Sequence, residues 1–409
     1  MNSTSDLIDR ARQLREEMIG ELRRLSALRT DRVADAFRAV PRHLFAPESP
    51  LESAYDPDRS VVVKRDTGGA ATSTVSAPAI QATMLEQADI EPGTRVLEIG
   101  SGGYNAALIA ELVGTRGHVV TVDIDPDVVA RTRRFLDEAG YPGVRAVHAD
   151  AEHGVPHEAP FDRIIVTVGA WDIPPTWWNQ LVEDGLMVLP LRLRGLTRSV
   201  SLRKVDGALV DRDHHQAGFV AIQGAGAHDE VFVPLAGDEV GLRVDDAPPA
   251  DPAALAAALA RPRVEQWSGV EIAGTEPFDG LDLYLATHTA HFGILMALQS
   301  AVDRRLVSRW ARWGAPTCFS DQEFAYRVTR RAGDSDRAEL GVFAHGPDAD
   351  ALAREVTALI RTWDRDHRLA DRRARITVLP AGTPDAALPA GFALTRKHTR
   401  IVVSWPGAT

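Results

Sequence analysis

The sequence is short of cysteine, of positive charge and of long apolar runs, and each shortage excludes something. Cys318 is the only cysteine in 409 residues. No disulfide can form within the chain, and a reducing compartment, the cytoplasm, is expected. Lysine and arginine number 46 against 57 aspartates and glutamates, a formal net charge of −11. That balance argues against a general nucleic-acid binder, which carries a basic surface excess. No apolar stretch reaches the roughly 18 residues that suggest a membrane-spanning helix. The opening MNSTSDLIDRARQLREEM is charged and lacks the apolar segment of a secretory signal. Neither a membrane nor a nucleic acid is expected as a partner, and no internal repeat is visible.

What remains is ordinary for a globular protein: 44% hydrophobic and 25% charged residues, in a chain long enough for two or three domains. Helical periodicity runs from Leu7 to Ala39, with Leu14, Met18, Leu22 and Leu25 on one face. From Pro78 the pattern alternates. A helix over Ala79–Gln87 precedes strands at Arg95–Ile99, His118–Asp123, Val144–His148, Arg163–Val168 and Leu186–Leu191, with helices such as Ala106–Leu112 and Pro126–Ala139 between them. Apolar strands separated by helices imply a parallel sheet covered on both faces. Further strands are expected at Ser199–Val205 and Gly218–Ile222. An acidic, proline-rich and alanine-rich stretch, AGDEVGLRVDDAPPADPAALAAALARP, then reads as a linker into a second domain of α+β pattern.

Two stretches carry chemistry. In STVSAPAIQATML (Ser73–Leu85), hydroxyls precede a proline and a helix. The simplest reading is a helix N-terminus, with hydroxyls capping free N–H groups and Pro78 in the first turn. In RVLEIGSGGYNAALIA, Gly100, Gly102 and Gly103 follow a buried strand, where glycine permits a sharp turn and close approach of a ligand to the main chain. A nicotinamide enzyme would place a third glycine where this chain has Asn105, and Glu98 just before the loop is badly placed beside a pyrophosphate. Asp123 and Asp150 end the next two strands. Three acids at three successive strand ends face the carboxyl edge of the sheet, where open α/β proteins bind ligands, and Asp123 suits ribose hydroxyls. A ligand with a ribose, an amine and a sulfonium but no phosphate, S-adenosylmethionine, fits this layout.

Residues 10–225 resemble the protein-L-isoaspartate O-methyltransferases. LREEMIGELRR, AVPRHLFAPE, STVSAPAIQA, RVLEIGSGGYNAA, VVTVDID and HADAEHGVPHEAPFDRIIVTVGAWDIPPTWWNQLVEDGLMVLPL stand in that family's order. The resemblance implies a Rossmann-like class I methyltransferase with S-adenosylmethionine as cofactor. It places Ser76 in the active site and Thr74, Val75, Glu98, Gly100, Gly102, Asp123, Asp150 and Ala151 against the cofactor. With the linker above, it divides the chain into a substrate-side segment over 1–75, a cofactor-binding core over 76–235 and a C-terminal α+β accessory domain over 250–409, which the simple repair enzyme lacks and which is expected to recognise peptide. On that division, truncation near residue 245 leaves cofactor binding intact. The glycine loop is one residue shorter than the family's usual form, and Ala79 stands where histidine or tyrosine is common. With the extra domain, the chain resembles the lanthipeptide-associated subgroup, the FxLD-system methyltransferases. That implies methylation of an aspartate in a cyclised precursor peptide, leading to succinimide and isoaspartate. Repair of isoaspartate in damaged proteins is the alternative.

Other features read more simply. His288 and His291 lie close enough to share a metal, but no third ligand is apparent and a packing role is expected, with no metal site. SRWARWG (Ser308–Gly314) reads as packing or as a grip on peptide, and the alanine-rich Ala253–Ala260 as a surface helix.

Overall fold

Leu14, Met18 and Leu22 are buried on one helix face, as their spacing predicts, while Leu25 is exposed. The single helix expected over Leu7–Ala39 is two, Thr4–Arg24 and Asp31–Ala39. Ser26 takes a left-handed φ of 58° just beyond the first, and the Thr30 side chain accepts from the Val33 N–H to start the second. The computed structural model describes residues 4–100, 102–246, 248–274, 276–333 and 336–407. Ser101, in the glycine loop, lies outside the described residues.

A hairpin of β1 (Val61–Arg65) and β2 (Ala71–Val75) precedes the main sheet. The strands β3 (Arg95–Ile99), β4 (His118–Asp123), β5 (Arg145–His148), β6 (Phe161–Val166) and β7 (Leu181–Leu193) pair in parallel in the order 7-6-3-4-5. Their near-continuous apolar character follows from burial on both faces. Two antiparallel strands, β8 (Leu196–Val205) and β9 (Ala208–Gln216), extend the sheet. The strand expected at Gly218–Ile222 does not form. After Gln216 the chain leaves the sheet, and over Gly218–Ile222 it forms a single bridge, from Ala221 to Gly169.

A second sheet follows, antiparallel throughout. It comprises β10 (Val231–Ala236), β11 (Val240–Val244), β12 (Val264–Ala273), β13 (His291–Ala297), β14 (Ala315–Phe319), β15 (Phe324–Arg331) and β16 (Arg337–His345), in the order 10-11-13-14-15-16-12. Helices Asp279–His288 and Ala349–Trp363 pack against it through Leu281, Leu285, Val356 and Ile360.

The chain then returns to the first sheet. There β17 (Arg375–Pro380), β18 (Phe392–Thr395) and β19 (Thr399–Ser404) add three strands, with β17 paired to β9. The expected boundaries are corrected at both ends. The second sheet starts at Val231, inside the expected 76–235 core, and residues 375–404 of the expected 250–409 domain complete the first sheet. Ile376, Val378, Ile401 and Val403 share a core with Leu202 and Leu209. Alternating apolar residues predict a half-buried strand but do not say which sheet will use it. The second sheet is therefore an insertion between two neighbouring strands of the first, and among the described residues no helix is long and apolar enough to cross a membrane.

Candidate active site

The carboxyl ends of β3, β4 and β6 open on a cleft lined by Thr72, Ser73, Gly100, Asp123, Ala151 and Val168, among others. This is where strand order reverses, the usual ligand edge of such sheets. Gly100 has φ +90°, and a Cβ there would stand 2.7 Å from Thr167 Oγ1, so both backbone shape and space demand glycine. Asp123 ends β4 at the cleft wall, half-buried, and accepts from the Asp125 N–H at 2.9 Å. Asp125 also lines the cleft but is paired with Lys64 at 2.6 Å. Among the described residues no lysine, arginine or histidine lines this cleft. It offers no cationic side chain to a phosphate and suits a cationic or zwitterionic nucleoside.

Several expected site residues sit elsewhere. Glu98 is fully buried behind the glycine loop, not at the wall. Its oxygens accept from Asn105 Nδ2 at 2.9 Å and Thr121 Oγ1 at 2.5 Å, and burial pushes its pKa up to about 7 despite both bonds. Val75 is buried in the core against the N-terminal helices, so the hairpin meets the cleft through Thr72 and Ser73 rather than Thr74 and Val75. Gly102 packs beside Thr74 and Val75, with room for a Cβ, and does not line the cleft. Asp150 is a clamp. One oxygen accepts from the Glu152 N–H and the other from the Ala225 N–H, each at 2.9 Å. It thereby holds the segment after β9 over the cleft, where Gly224, at φ +78°, would put a Cβ 2.4 Å from Asp150 Oδ2. Gln223 reaches Thr72 O at 3.2 Å from the same segment. About 40 Å³ stays free beneath it.

Ser76 lies half-buried before the helix Pro78–Ala88. The capping reading of the hydroxyl run fails: the N-cap is Ala77, and no side chain bonds there. The residue that shapes this loop is Arg42, which sequence reasoning passed over. It is fully buried and donates to Ser76 O at 2.8 Å, Ala54 O at 2.7 Å and Gln81 Oε1 at 2.9 Å, with its guanidinium 4.9 Å from the centre of the Tyr104 ring. Burial lowers its pKa to about 10, which leaves it charged at neutral pH. Its setting in AVPRHLFAPE, an arginine flanked by apolar residues and prolines, was the available signal.

The second sheet closes a larger cavity of about 340 Å³ next to the cleft. Ala221 and Ile222 line both spaces. Trp313, from SRWARWG, is 81% exposed and lines the cavity. His288 is a packing residue stacked on Tyr284, and among the described residues no group of His, Cys, Asp and Glu could hold a metal. The helix Pro252–Leu259 buries Leu255, Ala258 and Leu259, so it is anchored rather than wholly superficial.

Residues 12–226 match the family model for Protein-L-isoaspartate(D-aspartate) O-methyltransferase (PCMT). A protein-L-isoaspartate O-methyltransferase of Methanopyrus kandleri is 39% identical over 216 residues, covering 52% of this chain and 92% of its own. A solved structure named protein-L-isoaspartate O-methyltransferase is 24% identical and covers 89% of this chain and 96% of its own, with a TM-score of 0.49. Another, from Plasmodium falciparum in complex with S-adenosyl-L-homocysteine, is 19% identical and covers 51% and 97%, with a TM-score of 0.44. The matched span takes in the hairpin, the glycine loop and every strand end around the cleft. The chain thus belongs to the protein-L-isoaspartate(D-aspartate) O-methyltransferase family, carboxyl methyltransferases that use S-adenosylmethionine.

Proposed function

We propose that the protein methylates an aspartate carboxylate in a ribosomally made, thioether-cyclised peptide of the lanthipeptide type. The ester closes on the next backbone nitrogen with loss of methanol, and water opens the resulting succinimide to isoaspartate. The cleft's chemistry fits the methyl donor: S-adenosylmethionine supplies a methyl group on a cationic sulfur, and the lining is free of lysine, arginine and histidine. Asp123 would accept from the ribose hydroxyls, Thr72 and Ser73 would offer hydroxyls, and Gly100 would let the main chain come close. The substrate needs no general base, because an aspartate with a reference pKa of about 3.9 is already ionised at neutral pH. Catalysis then rests on orientation. Ser76, on the loop fixed by Arg42, would orient the acceptor carboxylate or the adjoining amide through its hydroxyl.

The observation that carries the peptide reading is the inserted sheet beside the cleft. The match to the Methanopyrus protein uses 92% of that protein but 52% of this chain, which leaves the second sheet no room for a counterpart there. Aspartates are abundant on every protein, so a single carboxylate pocket cannot pick one out, and selectivity needs further contacts. The insertion supplies a wall for them, while thioether rings lower the cost of ordering the peptide. Mass spectrometry with S-adenosylmethionine tests this. A cyclised aspartate peptide should gain about 14 Da and then show a net loss of about 18 Da as the succinimide forms, while its linear form reacts poorly. Efficient methylation of generic isoaspartyl peptides, with none on cyclised aspartate, would put repair in its place.

A further inference from the structure

The cavity between the two sheets is lined by the guanidinium groups of Arg192, Arg198, Arg243 and Arg327. Each faces an acid: Arg192 meets Asp245 at 2.6 Å and also Glu230, Arg198 meets Asp279 at 2.5 Å, Arg327 meets Asp282 at 2.6 Å, and Arg243 lies 3.8 Å from Glu230. Glu230 and Asp282 line the cavity, whereas Asp245 and Asp279 do not. These pairs leave donors unused. Arg198 Nε, Arg243 Nε and Arg327 Nη1 are buried without a hydrogen-bond partner among the described residues, as is His228 Nε2, a donor in one of the two ring tautomers, and all belong to residues lining this one space. Arg198 is 1% exposed and Arg327 8%. Buried donors are normally satisfied, so a cluster of unmet ones around a cavity marks a place for acceptors.

We propose that this cavity is a carboxylate-binding subsite for the peptide substrate, taking an acidic group other than the one that is methylated. The proposal rests on the peptide-methylation reading above. The methylated group must reach the cleft, which lies beyond Ala221 and Ile222, so a carboxylate held by these arginines is a second one. Arginine forks fit carboxylate and phosphate alike. Here four guanidinium groups face four acids, so these groups carry no net positive charge and offer a carboxylate directed donors, and a monoanion suits the space better than a dianionic phosphate. The remaining walls suit peptide. The Trp171 and His228 rings stack with centroids 3.4 Å apart, and Trp313 offers an exposed indole. At about 340 Å³ the cavity has room for more than a bare ion. The carboxylate comes either from an acidic side chain near the acceptor or from the peptide's C-terminus.

Calorimetry on the full-length protein saturated with S-adenosylhomocysteine separates these sources. The probes are synthetic thioether-cyclised peptides with one aspartyl acceptor, a flanking glutamate or glutamine, and a C-terminal acid or amide. For the wild-type protein, neutralising one of the two extra carboxylates should weaken binding about tenfold or more, and the position that matters identifies the source. Arg243→Gln should bring acid and neutral peptides to within about threefold while the affinity for S-adenosylhomocysteine holds. His228→Gln, on the segment after β9, gives a second test if Arg243→Gln folds poorly. Equal wild-type affinity for all peptides, or selectivity that survives both variants, overturns the subsite. Methylation of the same peptides is read separately. Methylation without acid selectivity sinks the cavity proposal alone, whereas acid-selective binding without methylation upholds the cavity and sinks the functional reading.

Discussion

The cleft and the inter-sheet cavity share Ala221 and Ile222 but are built from opposite materials. The cleft is made by strand ends and a glycine turn of one sheet, and among the described residues its charged lining groups are Asp123 and Asp125. The cavity is made where two sheets meet, and arginines dominate it. Backbone and a strand-end acid suffice for a ligand of fixed structure. Variable peptide needs long side chains that reach out from several elements. On the proposals above, the donor takes one space and peptide selection the other.

The most severe way to break this contrast is to delete the insertion with everything after it. Truncation at residue 245 also removes β17–β19, leaving β9 with a bare edge and Leu202 and Leu209 without Ile376 and Ile401. The expected result is loss of soluble folded protein and of S-adenosylhomocysteine binding, read by circular dichroism and calorimetry. A truncated chain that binds as well as the full one would make the two spaces separable. Asp123→Ala should act on the cleft alone, weakening S-adenosylhomocysteine about 10- to 150-fold through a lost charged hydrogen bond of about 1.5–3 kcal/mol. Peptide affinity should stay the same, and an unchanged nucleoside affinity would remove Asp123 from the site. The smallest effect concerns Glu98. Burial holds its folded pKa at about 7, above the ordinary glutamate value of 4.5. Between those values the folded chain keeps a proton that the unfolded chain has released, so stability falls as pH rises through that window. Glu98→Gln should flatten urea midpoints measured at pH 5 and pH 8, and an unchanged slope would show that another group titrates.

The two spaces also differed in how far they could be read from sequence. Gly100 follows β3, Asp123 ends β4 and Ala151 lies just past β5, so local pattern places them at the sheet's edge. Local pattern did not settle which side chains face the ligand. The β1–β2 register shifts between Val62 and Lys64, and the residues reaching the cleft are Thr72 and Ser73. Glu98 carries the expected charge at the expected strand end, but Asn105 and Thr121 draw it inward. For the cavity there was no local pattern at all. Arg198, His228, Arg243 and Arg327 come from separate elements of both sheets and meet only through tertiary packing. Trp313 was noticed as a possible grip on peptide, without a partner to give that meaning.

The return of the chain to its first sheet has a consequence for synthesis. Strand β9 ends at Gln216, and the strand that covers its edge does not begin until Arg375. At about 5–20 residues per second, a ribosome needs roughly 8–30 s to make what lies between. For that interval the nascent chain carries an open strand edge and an uncovered apolar face, the features that invite pairing with a neighbouring copy. The antiparallel pairs β10–β11 and β14–β15, joined by short connections, can form as they emerge, so the insertion can fill that interval with local folding before the last strands arrive to close the edge.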